Sequence, residues 1–218
     1  MGDVMNYVSR CDDSTDYKLI SISDYVNYVK SCGDAIPYYM SDSQFHKNTE
    51  LEADYSRPEY FKNWYEDISE DFPDEEKPYL KPSLSWIYIG PAKSYSALHQ
   101  DVWNTSAWNA VISGKKLWLF FPVSQSDYLY KGAVNPFSPD LDKYPYYART
   151  RPFFCIQNPG EIVFTPGGWW HTVINLEAGL SLTENFINNT NIHLVVEEFR
   201  RRKMLKYLSI YSKYFKII

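Results

Sequence analysis

The sequence predicts a mainly β protein, with a barrel or sandwich of short strands between about residues 83 and 187. A helical and irregular segment (1–82) precedes it and a helical tail (188–218) follows. Three observations lead there. Six β-favouring runs crowd the central stretch, at 84–89, 108–112, 117–122, 161–165, 173–176 and 180–186. Turn signals punctuate them: Gly90-Pro91, Ser113-Gly114, Asn158-Pro159-Gly160 and Pro166-Gly167-Gly168. After Asn191 the period changes, and Leu194, Val195, Glu198, Phe199, Arg202, Leu205 and Leu208 recur at three- and four-residue intervals.

Before the β region, 23–32 reads as a short helix. Ser23 is its expected N-cap, and Tyr25, Val26 and Val29 lie at helical spacing. Residues 36–40 read as a strand, and short helices are expected around 60–64. The N-terminal part has little apolar periodicity of its own, so residues 1–218 are read as one domain. The six central runs alternate with turns closely enough for an all-β barrel or sandwich.

The bulk numbers exclude several classes. With 218 residues the chain can bury a sizeable core, and an aromatic content of 18% is too rich for a disordered one. A net charge of -5 argues against a surface that coats nucleic acid or anionic membrane. Cys11, Cys32 and Cys155 are odd in number and widely spaced, so free thiols in a reducing compartment are expected. The first 16 residues are polar, no apolar run approaches a membrane span, and Asn6 breaks the myristoylation pattern after Gly2. These features suggest a cytoplasmic or nuclear protein without a membrane partner. Charge is uneven: Glu66, Asp67, Glu70, Asp71, Asp74, Glu75 and Glu76 form an acidic stretch. Arg200, Arg201, Arg202, Lys203, Lys206, Lys213 and Lys216 form a basic one. Solvated faces are the plainer reading of both.

Of the four histidines, two sit in a suggestive pattern. In a strand, residues i and i+2 share a face, so His99 and Asp101 would present an imidazole beside a carboxylate with Gln100 turned away. His171 follows the tight turn Pro166-Gly167-Gly168-Trp169-Trp170 and could be aimed back toward them. Two imidazoles and one carboxylate on one face of an octahedral ion leave three positions open, the arrangement of non-heme Fe(II) oxygenases. An HxD triplet alone is weak, and the Gly-Gly-Trp-Trp-His segment strengthens it. His46 and His193 lie in polar surroundings and read as surface or substrate-side residues.

These motifs resemble the JmjC (jumonji) oxygenases over roughly residues 25 to 200. Ile89-Gly90-Pro91, His99-Gln100-Asp101, Thr105-Ser106-Ala107-Trp108-Asn109-Ala110 and Gly114-Lys115-Lys116-Leu117-Trp118 carry the likeness. So do Phe164-Thr165-Pro166-Gly167-Gly168-Trp169-Trp170-His171, Asn175-Leu176 and Thr183-Glu184-Asn185-Phe186. The most similar branch is the small, phosphatidylserine-receptor-like JmjC lysyl hydroxylases. The resemblance implies a double-stranded β-helix, a jelly-roll or cupin-like barrel. It implies Fe(II) held by His99, Asp101 and His171, with 2-oxoglutarate and O2 as co-substrates. Lys116, Thr183 and Tyr39 match the residues that receive the distal carboxylate of 2-oxoglutarate, with Tyr38 the alternative to Tyr39. Asn109 and Asn185 match asparagines near the co-substrate and the iron. A protein or peptide substrate hydroxylated at a lysyl side chain is implied first. N-methyl-lysine or arginine demethylation and tRNA-nucleoside hydroxylation are variants of that chemistry, and a non-catalytic JmjC-like binding module is the alternative of another class. The basic tail could touch RNA, and the C-terminal helix could build a homodimer.

Overall fold

The computed structural model describes residues 3–47, 49–68 and 84–215. Among the described residues, nine strands form one connected antiparallel network. β1 (Met5–Arg10) and β2 (Asp13–Ser21) make a hairpin, followed by α1 (Ile22–Ser31) and β3 (Tyr38–Ser43). The part expected to be helical and irregular therefore supplies three strands: β3 answers to the strand expected at 36–40, while β1 and β2 were not expected. Polar residues hide the hairpin: β1 reads Met-Asn-Tyr-Val-Ser-Arg, and only Val8 of it is fully buried. The cap of α1 is Ser21 rather than Ser23, its Oγ accepting from the Asp24 amide at 3.1 Å.

The central strands are β4 (Ser85–Gly90), β5 (Tyr95–His99), β6 (Ser106–Phe121), β7 (Phe153–Gln157), β8 (Ile162–Thr165) and β9 (Trp170–Phe186). The runs at 108–112 and 117–122 are one strand, β6, and those at 173–176 and 180–186 are one strand, β9. These two pair along their whole lengths. The early half of β6 and late half of β9 lie between β8 and β4, while their other halves lie between β7 and β5. Two four-stranded rows thus share two long bent strands. This is the expected double-stranded β-helix, extended by β3, β1 and β2 beyond β4 and not closed at its edges.

The bends fall where glycine is needed. Gly114 has φ 81°, and a Cβ there would lie 2.6 Å from the Ala178 carbonyl oxygen. A side chain at Gly179 would meet the Ser113 carbonyl in the same way. Ser113-Gly114 is therefore the corner where β6 passes between rows, and the register shifts there.

Phe45, Tyr55 and Phe61 pack on the outer face of the β4 row, against Ile87, Trp108, Leu182 and Phe186. Glu184, 1% exposed, accepts from Tyr55 Oη at 2.8 Å and Arg57 Nε at 2.5 Å, and Arg57 also reaches Glu66. A carboxylate this buried is tolerated because it is paired and hydrogen-bonded. His46 is part of this layer. It is buried, with Nε2 against Ser85 Oγ at 3.0 Å, not on the surface as its polar neighbours suggested. His193 is exposed.

The tail forms two helices, α3 (Ile192–Arg201) and α4 (Leu205–Phe215). The continuous stripe conceals a stop: Lys203 is left-handed (φ 58°), and the Met204 amide returns to the Phe199 carbonyl at 2.8 Å. Val195, Phe199, Tyr207 and Tyr211 pack with Trp103, Tyr65 and Trp86. The acidic residues from Glu70 to Glu76 and basic Lys216 lie outside the described residues. Among the described residues, no helix is long and apolar enough to cross a membrane.

Candidate metal centre

His99 and His171 are cross-strand partners at the adjoining ends of β5 and β9, with ring centroids 4.2 Å apart. Asp101 lies just past β5, in extended backbone (φ -63°, ψ 154°) that keeps its carboxylate on their side. One ligand atom from each residue lies within 4.8 Å of the others. His171 Nε2 is 4.0 Å from Asp101 Oδ2.

Three features fit a divalent cation. Asp101 Oδ2 is buried with no hydrogen-bond partner, a costly state that a bound cation removes. His99 Nδ1 faces the Ala97 carbonyl at 2.7 Å and His171 Nδ1 faces the Trp169 carbonyl at 3.2 Å. A carbonyl only accepts, so each Nδ1 holds the proton and each Nε2 keeps its lone pair for a metal. Burial, with His99 beside it, pushes the His171 imidazole down to about 4, so it is neutral near pH 7.

Behind the triad is a narrow pocket whose far wall is charged. Lys116 is buried, and its Nζ donates to Tyr39 Oη at 3.2 Å and Asn175 Oδ1 at 2.9 Å. Burial pushes this ammonium down to about 7. Thr183 and Asn109 line the same pocket, joined by Asn109 Nδ2 to Thr183 Oγ1 at 2.7 Å. Asn109 Oδ1 is buried without a partner. Tyr39, not Tyr38, faces this space; the Tyr38 hydroxyl turns away to Asp16. This end of the pocket thus places a buried ammonium beside the hydroxyl groups of Tyr39 and Thr183. Asn185 stands apart, donating to Thr105 Oγ1 at 2.9 Å and lining a larger outer cleft.

The outer cleft, about 640 Å³, opens at His99 and Asp101 and is lined by Tyr39, Tyr88, Tyr95, Trp103 and Tyr207. Sequence reasoning assigned no role to Asn175, whose amide holds the Lys116 ammonium and donates onward to Ser94 Oγ at 2.7 Å. The signal was present: His171, Val173 and Asn175 alternate along β9 and are all buried.

A model of the cupin-like domain matches residues 6–196. The chain is 35% identical over 181 residues to the bifunctional arginine demethylase and lysyl-hydroxylase psr-1 of Caenorhabditis elegans. That match covers 73% of this chain and 42% of the relative. It is 37% identical over 182 residues to the arginine-specific demethylase JMJ22 of Arabidopsis thaliana (76% and 34%). It is 34% identical over 162 residues to the 2-oxoglutarate and iron-dependent oxygenase JMJD4 of Gallus gallus (62% and 37%). The chain thus spans less than half the length of these relatives. With the matched segment running from β1 into α3, and the paired imidazoles and carboxylate seated in a double-stranded β-helix, the chain belongs to the cupin-like JmjC domain family.

Proposed function

We propose that the chain is an Fe(II)- and 2-oxoglutarate-dependent oxygenase that hydroxylates a protein side chain, with lysyl the favoured target. The convergence of His99, Asp101 and His171 within 4.8 Å, in front of a pocket ending in Lys116, carries this reading. Relatives named as a lysyl-hydroxylase and as a 2-oxoglutarate and iron-dependent oxygenase support it.

In this reading His99, Asp101 and His171 hold Fe(II), while Lys116, Tyr39 and Thr183 receive the distal carboxylate of 2-oxoglutarate. Fe(II), when bound, supports the reaction of 2-oxoglutarate and O2 that yields succinate and CO2 and places one oxygen atom in a substrate C–H bond. The protein's own share is positional. Ala97 and Trp169 carbonyls fix the imidazole tautomers, Asn175 steadies Lys116, and the aromatic walls of the outer cleft lead a side chain toward the triad.

The test is incubation with Fe(II), 2-oxoglutarate and a proteome-derived peptide library, read by mass spectrometry. Gains of one oxygen on lysyl peptides are expected, with loss on Lys-to-Arg replacement and in the His171→Ala and Asp101→Ala proteins. Equal turnover of both peptides removes the lysyl assignment. Metal binding with no 2-oxoglutarate turnover points instead to a non-catalytic binding module. The demethylase names among the relatives favour a second reading, in which the same centre oxidises an N-methyl group; formaldehyde release distinguishes it. RNA contact through the basic tail has weaker support, because Arg201 and Arg202 are engaged with Glu198. A homodimer through α4 would use exposed Leu205 and Tyr214, and sedimentation tests it.

A further inference from the structure

The ladder between β5 and β9 ends at His99 and His171, yet Asp101 lies two residues further on. Something other than strand pairing must set its distance from the imidazoles. The backbone there is unusual. Trp103 and Asn104 are both left-handed, with φ 55° and 56°. This coil presses the Asn104 carbonyl against the turn that leads to His171: a Cβ on Gly167 would lie 2.5 Å from that oxygen. The Gly167 amide is held from the other side by Ser106 Oγ at 3.1 Å.

One side chain crosses between the two segments. Gln100 points away from the triad and its Nε2 donates to the Gly168 carbonyl at 2.5 Å. The accepting peptide adjoins Trp169, whose own carbonyl holds His171 Nδ1. The bond therefore joins the neighbour of one ligand to the turn that orients another, at the point where the ladder stops.

We propose that Gln100 is a positioning residue for the metal centre: its amide latches the Asp101 loop to the Pro166–Gly168 turn and thereby sets the carboxylate against the two imidazoles. The inference rests on the metal-centre reading above. Partners that hydrogen-bond a metal ligand directly typically contribute 10- to 100-fold in metal affinity, and Gln100 acts one bond further out, at the low end of that range. Leucine keeps the length and removes the donor; lysine keeps a donor of similar reach.

The experiment titrates the apoprotein with Co(II), following both the dissociation constant and the visible d–d spectrum. Gln100→Leu should bind roughly 10-fold more weakly, with an altered spectrum, and Gln100→Lys should recover most of the affinity. A Gln100→Leu protein that melts at a lower temperature but keeps the wild-type affinity and spectrum overturns the latch and leaves a packing role only. Wild-type protein that takes up no Co(II) overturns the metal centre itself, so the two failures are distinct.

Discussion

Lys116 concentrates the electrostatic cost of the site. A buried ammonium held by neutral oxygens is poorly compensated until an anion arrives, and its depression to about 7 expresses that. The sign of the linkage follows. Between pH 7 and the ordinary lysine value the unfolded chain holds the proton more tightly, so this group subtracts stability at neutral pH and less as pH rises. Lys116→Met should therefore stabilise the apoprotein at pH 7 by about 1–3 kcal/mol, measured by urea unfolding. The same variant should lose 2-oxoglutarate binding while keeping Co(II). In the wild type, 2-oxoglutarate binding to the Co(II)-loaded protein at pH 8 should take up a proton; calorimetry in two buffers of different ionisation enthalpy reads it. The triad was legible because its spacing and the tight turn before His171 are local features. Lys116 was not legible from its residues alone, since Lys115-Lys116 reads as a surface pair. Only Lys115 behaves so, bridging to Glu177 at 3.0 Å.

What separates the two lysines is an element, the bent strand β6. Ala107 and Asn109 line the pocket from its early half, and Lys116 and Trp118 from its late half, so the inward face changes from odd to even positions. The register shifts between Val111 and Lys116 make that change. A period-two count from Asn109 would send Lys116 outward, and the Ser113-Gly114 turn signal, read as a break between two strands, is in fact this bend within one. Gly114 and Gly160 provide a controlled comparison. Their φ values are 81° and 83°, but a Cβ on Gly160 meets nothing within 4 Å. Gly160→Ala should cost about 1–2 kcal/mol for its conformation alone. Gly114→Ala should cost about 3–5 kcal/mol, because backbone from β9 stands in the way; equal losses in urea unfolding would show that the corner contact contributes nothing. In α3, Glu198 sits at a core-facing helical position, and its hydrogen bonds to Arg201, with Arg202 alongside, hold its carboxyl down to about 2. A depressed carboxylate stabilises above its ordinary value near 4.5 and loses that contribution as pH falls toward 2. The full shift corresponds to about 3 kcal/mol; solvent around the two exposed guanidinium groups reduces it to about 1–2 kcal/mol. Glu198→Gln should show this loss at pH 6 and converge with wild type near pH 2.

At the scale of the molecule, the β core and the C-terminal helices meet at the loop that carries Asp101. Trp103, two residues beyond that ligand, is buried with its ring 5.4 Å from Phe199 and 5.5 Å from Tyr207. The sequence showed that a helical stripe follows the β region, but the stripe's target was invisible. Trp103 lies in a three-residue coil whose left-handed conformation no period announces. The hairpin at 5–21 escaped for a related reason, because a strand that extends a sheet on its rim needs little apolar surface. The helices thus touch the loop that carries Asp101 through Trp103, although neither supplies a residue of the triad. Phe199→Ala should cost about 3–5 kcal/mol of stability. It should also loosen one loop selectively. The Asn104 and Thr105 amides close the coil on the Asp101 and Val102 carbonyls at 3.1 and 3.0 Å. Under native conditions their hydrogen exchange should quicken in Phe199→Ala well beyond that of central β9 amides such as Val173, and Co(II) affinity should fall with it. Uniform acceleration across β9 and the loop would mean that the helices stabilise the molecule only as a whole and have no particular hold on Asp101.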